Sequence, residues 1–135
     1  MVRREVIEKA GMMPEDFFLY YEEVDWCERI RKHGYQVWLE PRAAIYHKES
    51  VSVGKNSQLK EYYMNRNRIL FIRRHAGWLT RLGFYIYFGC IVTPRNILSY
   101  LKQGRYRLIP VLFRAIGWNL VNPAHSLPPE KLNTH

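Results

Sequence analysis

Three carboxylates lie close together near the start of the chain, at Glu22, Glu23 and Asp25, directly after an aromatic run at residues 17–21. A carboxylate held beside a hydroxyl group can take its proton as a general base, which typically contributes about 10²–10⁴-fold in rate. The same acids could instead act only as capping charges, because negative groups suit the first turn of a helix. The residues alone leave both interpretations open.

The segment that follows these acids has the pattern of a short amphipathic helix. Trp26 and Ile30 are four residues apart and share a face, and Gly34 stands where a left-handed C-cap would end the helix. Residues two apart on a helix point to nearly opposite sides, so Glu23 and Asp25 are poorly placed to hold one metal ion together. We therefore reject Glu23-Val24-Asp25 as a metal motif.

The rest of the pattern predicts short strands followed by helices. Residues 35–39 alternate and are rich in strand-forming side chains, and residues 43–47 indicate a second short strand. Further helices are predicted at 3–10, 58–75, 78–104 and 105–120, with a break or kink at Pro94 and a loose tail from residue 122. In the helix at 58–75, Arg66 falls within the apolar stripe, where a basic side chain is rarely left unpaired.

The charge of the chain is unevenly placed. Its 135 residues carry a formal net charge of +9, and residues 62–129 hold ten Lys or Arg and no acid. Basic helices with aromatic faces suit an anionic membrane surface, although a helical cap packed on a core would have the same composition. The longest apolar run, at 82–94, is shorter than the ~20 residues of a membrane-spanning helix. The two cysteines, Cys27 and Cys90, indicate reduced thiols and a cytoplasmic setting.

Four motifs in consistent order resemble the inverting family-two glycosyltransferases, most closely the rhamnosyltransferase-like members. Residues 17–25, with Arg29 and Gly34 behind them, resemble the family's Glu-Asp segment. Residues 11–16 resemble its Gly-Gly-Phe-Asp-Glu-Asp segment, 46–50 its Tyr-His segment, and 62–68 its Tyr-Tyr-x-x-Arg-Asn-Arg helix. The resemblance covers residues 2–75.

This resemblance implies an α/β fold: the C-terminal portion of a GT-A, Rossmann-like domain with few short strands, followed by amphipathic helices. Residues 1–57 would form the acceptor side of that domain, 58–121 a helical extension and 122–135 a flexible tail. The family's Asp-x-Asp donor segment has no counterpart here. The chain is therefore expected to be a fragment that is inactive without an N-terminal, donor-binding half.

The resemblance also assigns a reaction, which is inverting transfer of a sugar from a nucleotide-sugar donor to a saccharide or lipid-linked acceptor. The family's catalytic base is an Asp, and its place is taken here by Glu23, whose extra methylene moves the carboxylate. Glu22 would support it, and Asp25 would act as a helix cap or as a partner of Arg29, four residues later. All three acids are candidate catalytic residues.

Five further residues are candidate ligands. Tyr20, Tyr21 and Trp26 are predicted to contact the substrate. Arg66 is predicted either to bind a phosphate of the donor or acceptor, since Arg suits bidentate phosphate contacts, or to pair with the acids at 22–25. His47 would complete the shell of a divalent cation, Mg²⁺ or Mn²⁺, in the complete enzyme.

A cell-envelope polysaccharide pathway and a cytoplasmic position, peripheral on the inner face of the membrane, follow from the same resemblance. The alternative is a non-enzymatic basic helical module that binds anionic membrane or nucleic acid. Nucleic acid is the weaker of these partners, since the sequence has no recognised base-reading motif or zinc spacing. The sequence does not indicate an oligomeric state.

Overall fold

A computed structural model describes residues 2–44 and 57–124 of the chain. Its elements, in chain order, are α1 (Arg4–Ala10), a 3₁₀ turn (Glu15–Phe17), α2 (Glu22–Lys32), α3 (Gln58–His75), α4 (Trp78–Tyr87), a π-helical turn (Phe88–Val92), α5 (Thr93–Lys102) and α6 (Leu108–Val121). The helices predicted at 58–75 and 105–120 and the helix after the acids are confirmed.

The predicted α/β fold is wrong. Helices make up 70% of the described chain, and neither 2–44 nor 57–124 contains a strand. The strand predicted at 35–39 is a single exposed segment, with Trp38 83% and Leu39 88% accessible. Its composition favours a strand, but a strand also needs a neighbour to take its backbone hydrogen bonds, and none is described beside it. The described chain is therefore not a Rossmann-like fragment. The second predicted strand, at 43–47, lies largely outside the described residues.

Helix α3 is the central element, and it packs along α6. Both helices contribute buried apolar side chains, which are Ile69 and Leu70 on α3 and Val111, Leu112 and Ala115 on α6. Asn119 on α6 donates to the Arg66 carbonyl at 3.0 Å and accepts from Arg73 Nη1 at 3.3 Å, so hydrogen bonds also join the two helices. No helix of the described chain is both long and apolar enough to cross a membrane.

The helical run is not broken at Pro94, where a break or kink was predicted, but a π-helical turn lies just before it. Residues Phe88–Val92 adopt this wider turn, and Pro94 follows in the first turn of α5. Inside a helix a proline lacks an N–H donor and crowds the carbonyl four residues earlier, and the wider π-helical turn just before Pro94 gives room for this. The helical run from Trp78 to Lys102 is therefore continuous.

The loop that leads into α2 has an uncommon backbone. Phe18, Tyr20 and Tyr21 have φ angles of 58°, 65° and 74°, in a region that residues other than glycine rarely occupy. Each such residue costs on the order of 1 kcal/mol or more, so the surrounding structure must hold the loop in place.

Asn67 of α3 holds this loop through its side-chain amide. Its Nδ2 lies 2.8, 2.7 and 2.8 Å from the carbonyl oxygens of Phe17, Leu19 and Tyr20, so its two N–H bonds are shared among three acceptors. Asn67 has no accessible surface, so water cannot replace these bonds. This one side-chain amide therefore fixes the backbone of the loop that leads into α2.

We expect Asn67→Ala to lower the free energy of unfolding by about 2–3 kcal/mol, because it leaves three carbonyls without their buried donor. The measurement is urea unfolding followed by helical circular dichroism. Asn96→Ala is the control, since it makes the same substitution at a half-buried position on α5. Equal stability of the two variants would contradict this role of Asn67.

Candidate active site

The three candidate acids lie in the first turn of α2 but differ in accessibility. Glu23 is exposed, Glu22 is half-buried and Asp25 is only 1% accessible. Tyr21, in the left-handed conformation, is the residue before the helix. An acceptor hydroxyl must reach the base that takes its proton. Of the three carboxylates, that of Glu23 is the most exposed.

Asp25 is held by three basic side chains. Its carboxylate lies 2.7 Å from His75 Nε2, 3.1 Å from Arg29 Nε and 3.7 Å from an Arg74 nitrogen. Burial alone would raise the pKa of Asp25, but the hydrogen bond with His75 and the charges of His75, Arg74 and Arg29 outweigh it and lower the pKa below its usual value. A carboxylate that is buried and paired in this way is poorly suited to accept a substrate proton.

Arg29 and Trp26 join α2 to the end of α1. Arg29 donates to the carbonyls of Ala10 and Met12, and Trp26 Nε1 donates to the Gly11 carbonyl at 2.8 Å. The predicted pairing of Asp25 with Arg29 is present in the structure. Trp26, predicted as a substrate contact, uses its indole N–H within the fold, and its role at a substrate stays a prediction.

Arg74 extends the same charge network to the loop before α2. Its guanidinium pairs with the Asp16 carboxylate and lies 5.0 Å above the ring of Phe17. The Arg74 side chain is 6% accessible. The C-terminal end of α3 therefore fixes both the loop and the first turn of α2 through charged side chains.

Tyr20 and Tyr21 are half-buried beside the first turn of α2 and contact α3. The Tyr21 hydroxyl accepts from Arg68 Nε at 3.3 Å, and the Lys60 ammonium lies 5.8 Å from the centre of the Tyr20 ring. Both side chains therefore contact α3, and substrate contact by these tyrosines stays a prediction.

Arg66 is 7% accessible and packs between aromatic rings. Its guanidinium lies 4.0 Å from the centre of the Trp118 ring and 5.2 Å from that of Tyr63, and it donates to the Asp16 carbonyl. Burial lowers the pKa of Arg66. These contacts join Arg66 of α3 to α6 and to the loop before α2. The described partners of Asp25 are His75, Arg74 and Arg29, so Arg66 is not among them. The predicted phosphate contact of Arg66 stays a prediction.

The predicted metal ligand, His47, lies outside the described residues. Within 2–44 and 57–124, no three His, Cys, Asp or Glu side chains come together in a group that could hold a metal ion. The divalent cation thus remains an expectation for the complete enzyme.

Comparison with known proteins finds similarity to two rhamnosyltransferases. The chain is 27% identical over 117 residues to the dTDP-rhamnosyl transferase RfbF of Shigella flexneri, covering 76% of this chain and 40% of that protein. It is 29% identical over 115 residues to the N-acetylglucosaminyl-diphospho-decaprenol L-rhamnosyltransferase of Mycobacterium tuberculosis, covering 83% of this chain and 38% of that protein. The chain is similar to rhamnosyltransferase-like glycosyltransferases. The predicted resemblance is confirmed.

A third, shorter similarity is also to a sugar transferase. The low-salt glycan biosynthesis hexosyltransferase Agl10 of Haloferax volcanii is 30% identical over 71 residues, which covers 52% of this chain and 23% of that protein. No protein-family model and no solved structure matches the chain. The chain spans about two fifths of the length of the two rhamnosyltransferases.

The sequence did not reveal the residues that position the acids. His75 Nε2 lies against Asp25, fifty positions away, and its Nδ1 lies 2.9 Å from Lys32 Nζ. Asn67 and Arg74 were likewise not singled out. The available signal was the run of consecutive polar residues Asn65, Arg66 and Asn67, all of them buried on α3, since buried polar groups need partners.

We expect Asp25→Asn to destabilise the fold by about 3 kcal/mol near neutral pH, because it removes the buried carboxylate that His75, Arg74 and Arg29 contact. The lowered pKa of Asp25 determines how this stabilisation depends on pH. The stabilisation is complete above the unfolded pKa of about 4 and is lost as the pH falls through the lower folded value, so the two proteins should converge in acid.

Urea unfolding of both proteins across this pH range is the measurement. Glu28→Gln is the control, because Glu28 lies on the same helix and makes only a partly exposed 3.9 Å pair with Arg31. A neutral-pH stability of Asp25→Asn equal to that of the unsubstituted chain would rule out the buried network as a stabilising element.

Proposed function

We propose that the chain forms the acceptor-side part of a glycosyltransferase that moves a sugar, rhamnose in the first instance, from a nucleotide-sugar donor to a saccharide or lipid-linked acceptor with inversion. The proposal is supported by the similarity to two rhamnosyltransferases, one of them named for a decaprenol-linked acceptor. The observation that carries it is the exposed Glu23 carboxylate at the start of α2, beside the two tyrosines and next to a fixed Asp25.

The proposed reaction uses Glu23 as a general base. Its carboxylate takes the proton of the acceptor hydroxyl while the hydroxyl oxygen bonds to the anomeric carbon of the sugar. The bond from that carbon to the diphosphate breaks on the opposite side, and the nucleoside diphosphate leaves with the electron pair. Attack from the side opposite the leaving group inverts the anomeric centre.

The other candidate residues serve this step by position. Asp25, held by His75, Arg74 and Arg29, fixes the turn that presents Glu23. Half-buried Glu22 supports its neighbour, and Tyr20 and Tyr21 border the acceptor. Positioning of this kind matters because a misplacement of about 1 Å can lower a rate by about 10²-fold.

Three further parts of the proposal concern the complete enzyme. A separate segment binds the donor, and a divalent cation, with His47 as one candidate ligand, would neutralise the leaving diphosphate. The enzyme acts in the cytoplasm, peripheral on the inner face of the membrane, where a lipid-linked acceptor is accessible. Arg66 remains a candidate for a phosphate contact.

The isolated chain of 135 residues should not turn over a nucleotide sugar, because the proposal places donor binding in another segment. The measurement is release of nucleoside diphosphate from dTDP-rhamnose, with and without a prenyl-linked saccharide acceptor. Turnover by the purified chain above that of its Glu23→Ala variant would contradict this division of the site.

In a polypeptide that joins this chain to a donor-binding segment, we expect Glu23→Gln to lower kcat by about 10²-fold or more and to leave donor affinity nearly unchanged. Gln keeps the size and hydrogen bonding of Glu but cannot accept the proton. Steady-state kinetics at saturating donor measure kcat, and Glu28→Gln on the same helix is the control.

Glu23→Asp tests how closely the site is shaped around Glu. Lower activity of this variant would mean that the site depends on the longer side chain, whereas unchanged or higher activity would mean that Glu is a tolerated replacement. If Glu23→Gln keeps its kcat while Glu22→Gln or Asp25→Asn loses it with an intact fold, Glu23 is not the base.

A further inference from the structure

Helix α4 has an apolar composition, yet none of its residues is buried. Trp78 and Leu79 are 73% and 65% accessible, and Leu82 and Ile86 are more than half accessible. The one charged residue of the helix, Arg81, donates to the Ala76 carbonyl at 2.8 Å and so turns back toward α3. Contiguous apolar side chains of this size are rarely left in water, which indicates that this face is covered in the working protein.

The exposed face continues through the π-helical turn onto α5. Apolar side chains recur there at Ile91, Leu98 and Leu101, with the spacing of one helical face. We call the whole set the apolar stripe; its members are Trp78, Leu79, Leu82, Ile86, Ile91, Leu98 and Leu101. An open groove on this side is lined by Ile91, Leu98, Arg95 and Lys102, so apolar and basic groups alternate along it.

The charge around the stripe selects the partner. Arg95 and Lys102 are exposed at its α5 end, and residues 78–121 contain no acid. A second copy of the chain would bring like charges together on the same face, which is unfavourable. An anionic, apolar surface matches both properties, and an exposed tryptophan at one end suits the boundary between lipid headgroups and acyl chains.

We infer that the apolar stripe docks flat on an anionic lipid bilayer, with Trp78, Leu79, Leu82 and Ile86 inserted at the headgroup boundary and Arg95 and Lys102 paired with lipid phosphates. This inference deepens the proposed function at its acceptor side, where a lipid-linked substrate lies in the same bilayer. It is separable from that function, because docking requires neither a sugar donor nor Glu23.

The test is co-sedimentation of the full chain with vesicles of phosphatidylcholine alone and of phosphatidylcholine with phosphatidylglycerol. We expect binding to the anionic vesicles and little to the neutral ones. Binding should weaken steeply as salt is raised through physiological ionic strength, where charges are screened within about 8 Å. Glu23→Gln should bind as well as the unsubstituted chain, so failure of catalysis and failure of docking give different results.

Matched pairs of variants locate the surface. Trp78→Ser with Leu79→Ser should lower vesicle affinity by about tenfold or more, since two inserted apolar side chains are lost. Trp38→Ser with Leu39→Ser is the control, because these residues are 83% and 88% accessible but lie outside the stripe. Circular dichroism should show unchanged helix content, because all four side chains are exposed.

A second pair tests the charges. Arg95→Gln with Lys102→Gln should weaken binding by about tenfold or more, since each basic residue near an anionic surface contributes appreciably to affinity. Arg4→Gln with Arg42→Gln makes the same change of net charge at exposed positions away from the stripe, with side chains 89% and 90% accessible, and should have a smaller effect.

Three results would overturn the inference. One is equal binding to neutral and anionic vesicles, or binding to neither. Another is equal loss of affinity in the stripe variants and their controls. The third is a dimer in sedimentation velocity that Trp78→Ser with Leu79→Ser converts to a monomer, which would assign the stripe to contact between copies of the chain.

Discussion

The buried carboxylate of Asp25 is the constraint on which the arrangement of the candidate site depends. One side chain on α2 meets His75 and Arg74 from the end of α3 and Arg29 from its own helix. A buried charge is stable only when it is paired and hydrogen-bonded, so the burial of Asp25 requires these basic side chains to be in place. The first turn of α2, with Glu22 and Glu23, is thereby fixed relative to α3.

Helix α3 connects the site to the rest of the chain through polar side chains on its buried face. Asn67 binds the loop before α2, Arg66 packs on Trp118 of α6, and Arg74 pairs with Asp16. The buried apolar residues of α3, Ile69 and Leu70, lie between these polar side chains. Satisfied polar networks of this kind select one arrangement of helices more sharply than apolar contacts do.

Local sequence patterns predicted the helices and the first-turn position of the acids, because spacing and capping act over a few residues. The predicted pairing of Asp25 with Arg29 was accessible for the same reason, since the two residues are one helical turn apart. The strand at 35–39 was wrong because a strand depends on a neighbour that local composition does not specify. The partners His75 and Asn67 could not be identified, since both act across about fifty residues of chain.

The π-helical turn at Phe88–Val92 determines where this part of the chain would tolerate a deletion. Such a turn holds one more residue than an α-helical turn, so a deletion within it could be absorbed by tightening to α-geometry. A deletion elsewhere in α4 or α5 would rotate everything beyond it by about 100° around the helix axis and move Tyr100 away from α6. Among the helical residues from Trp78 to Lys102, this turn is therefore where loss of a single residue would be best tolerated.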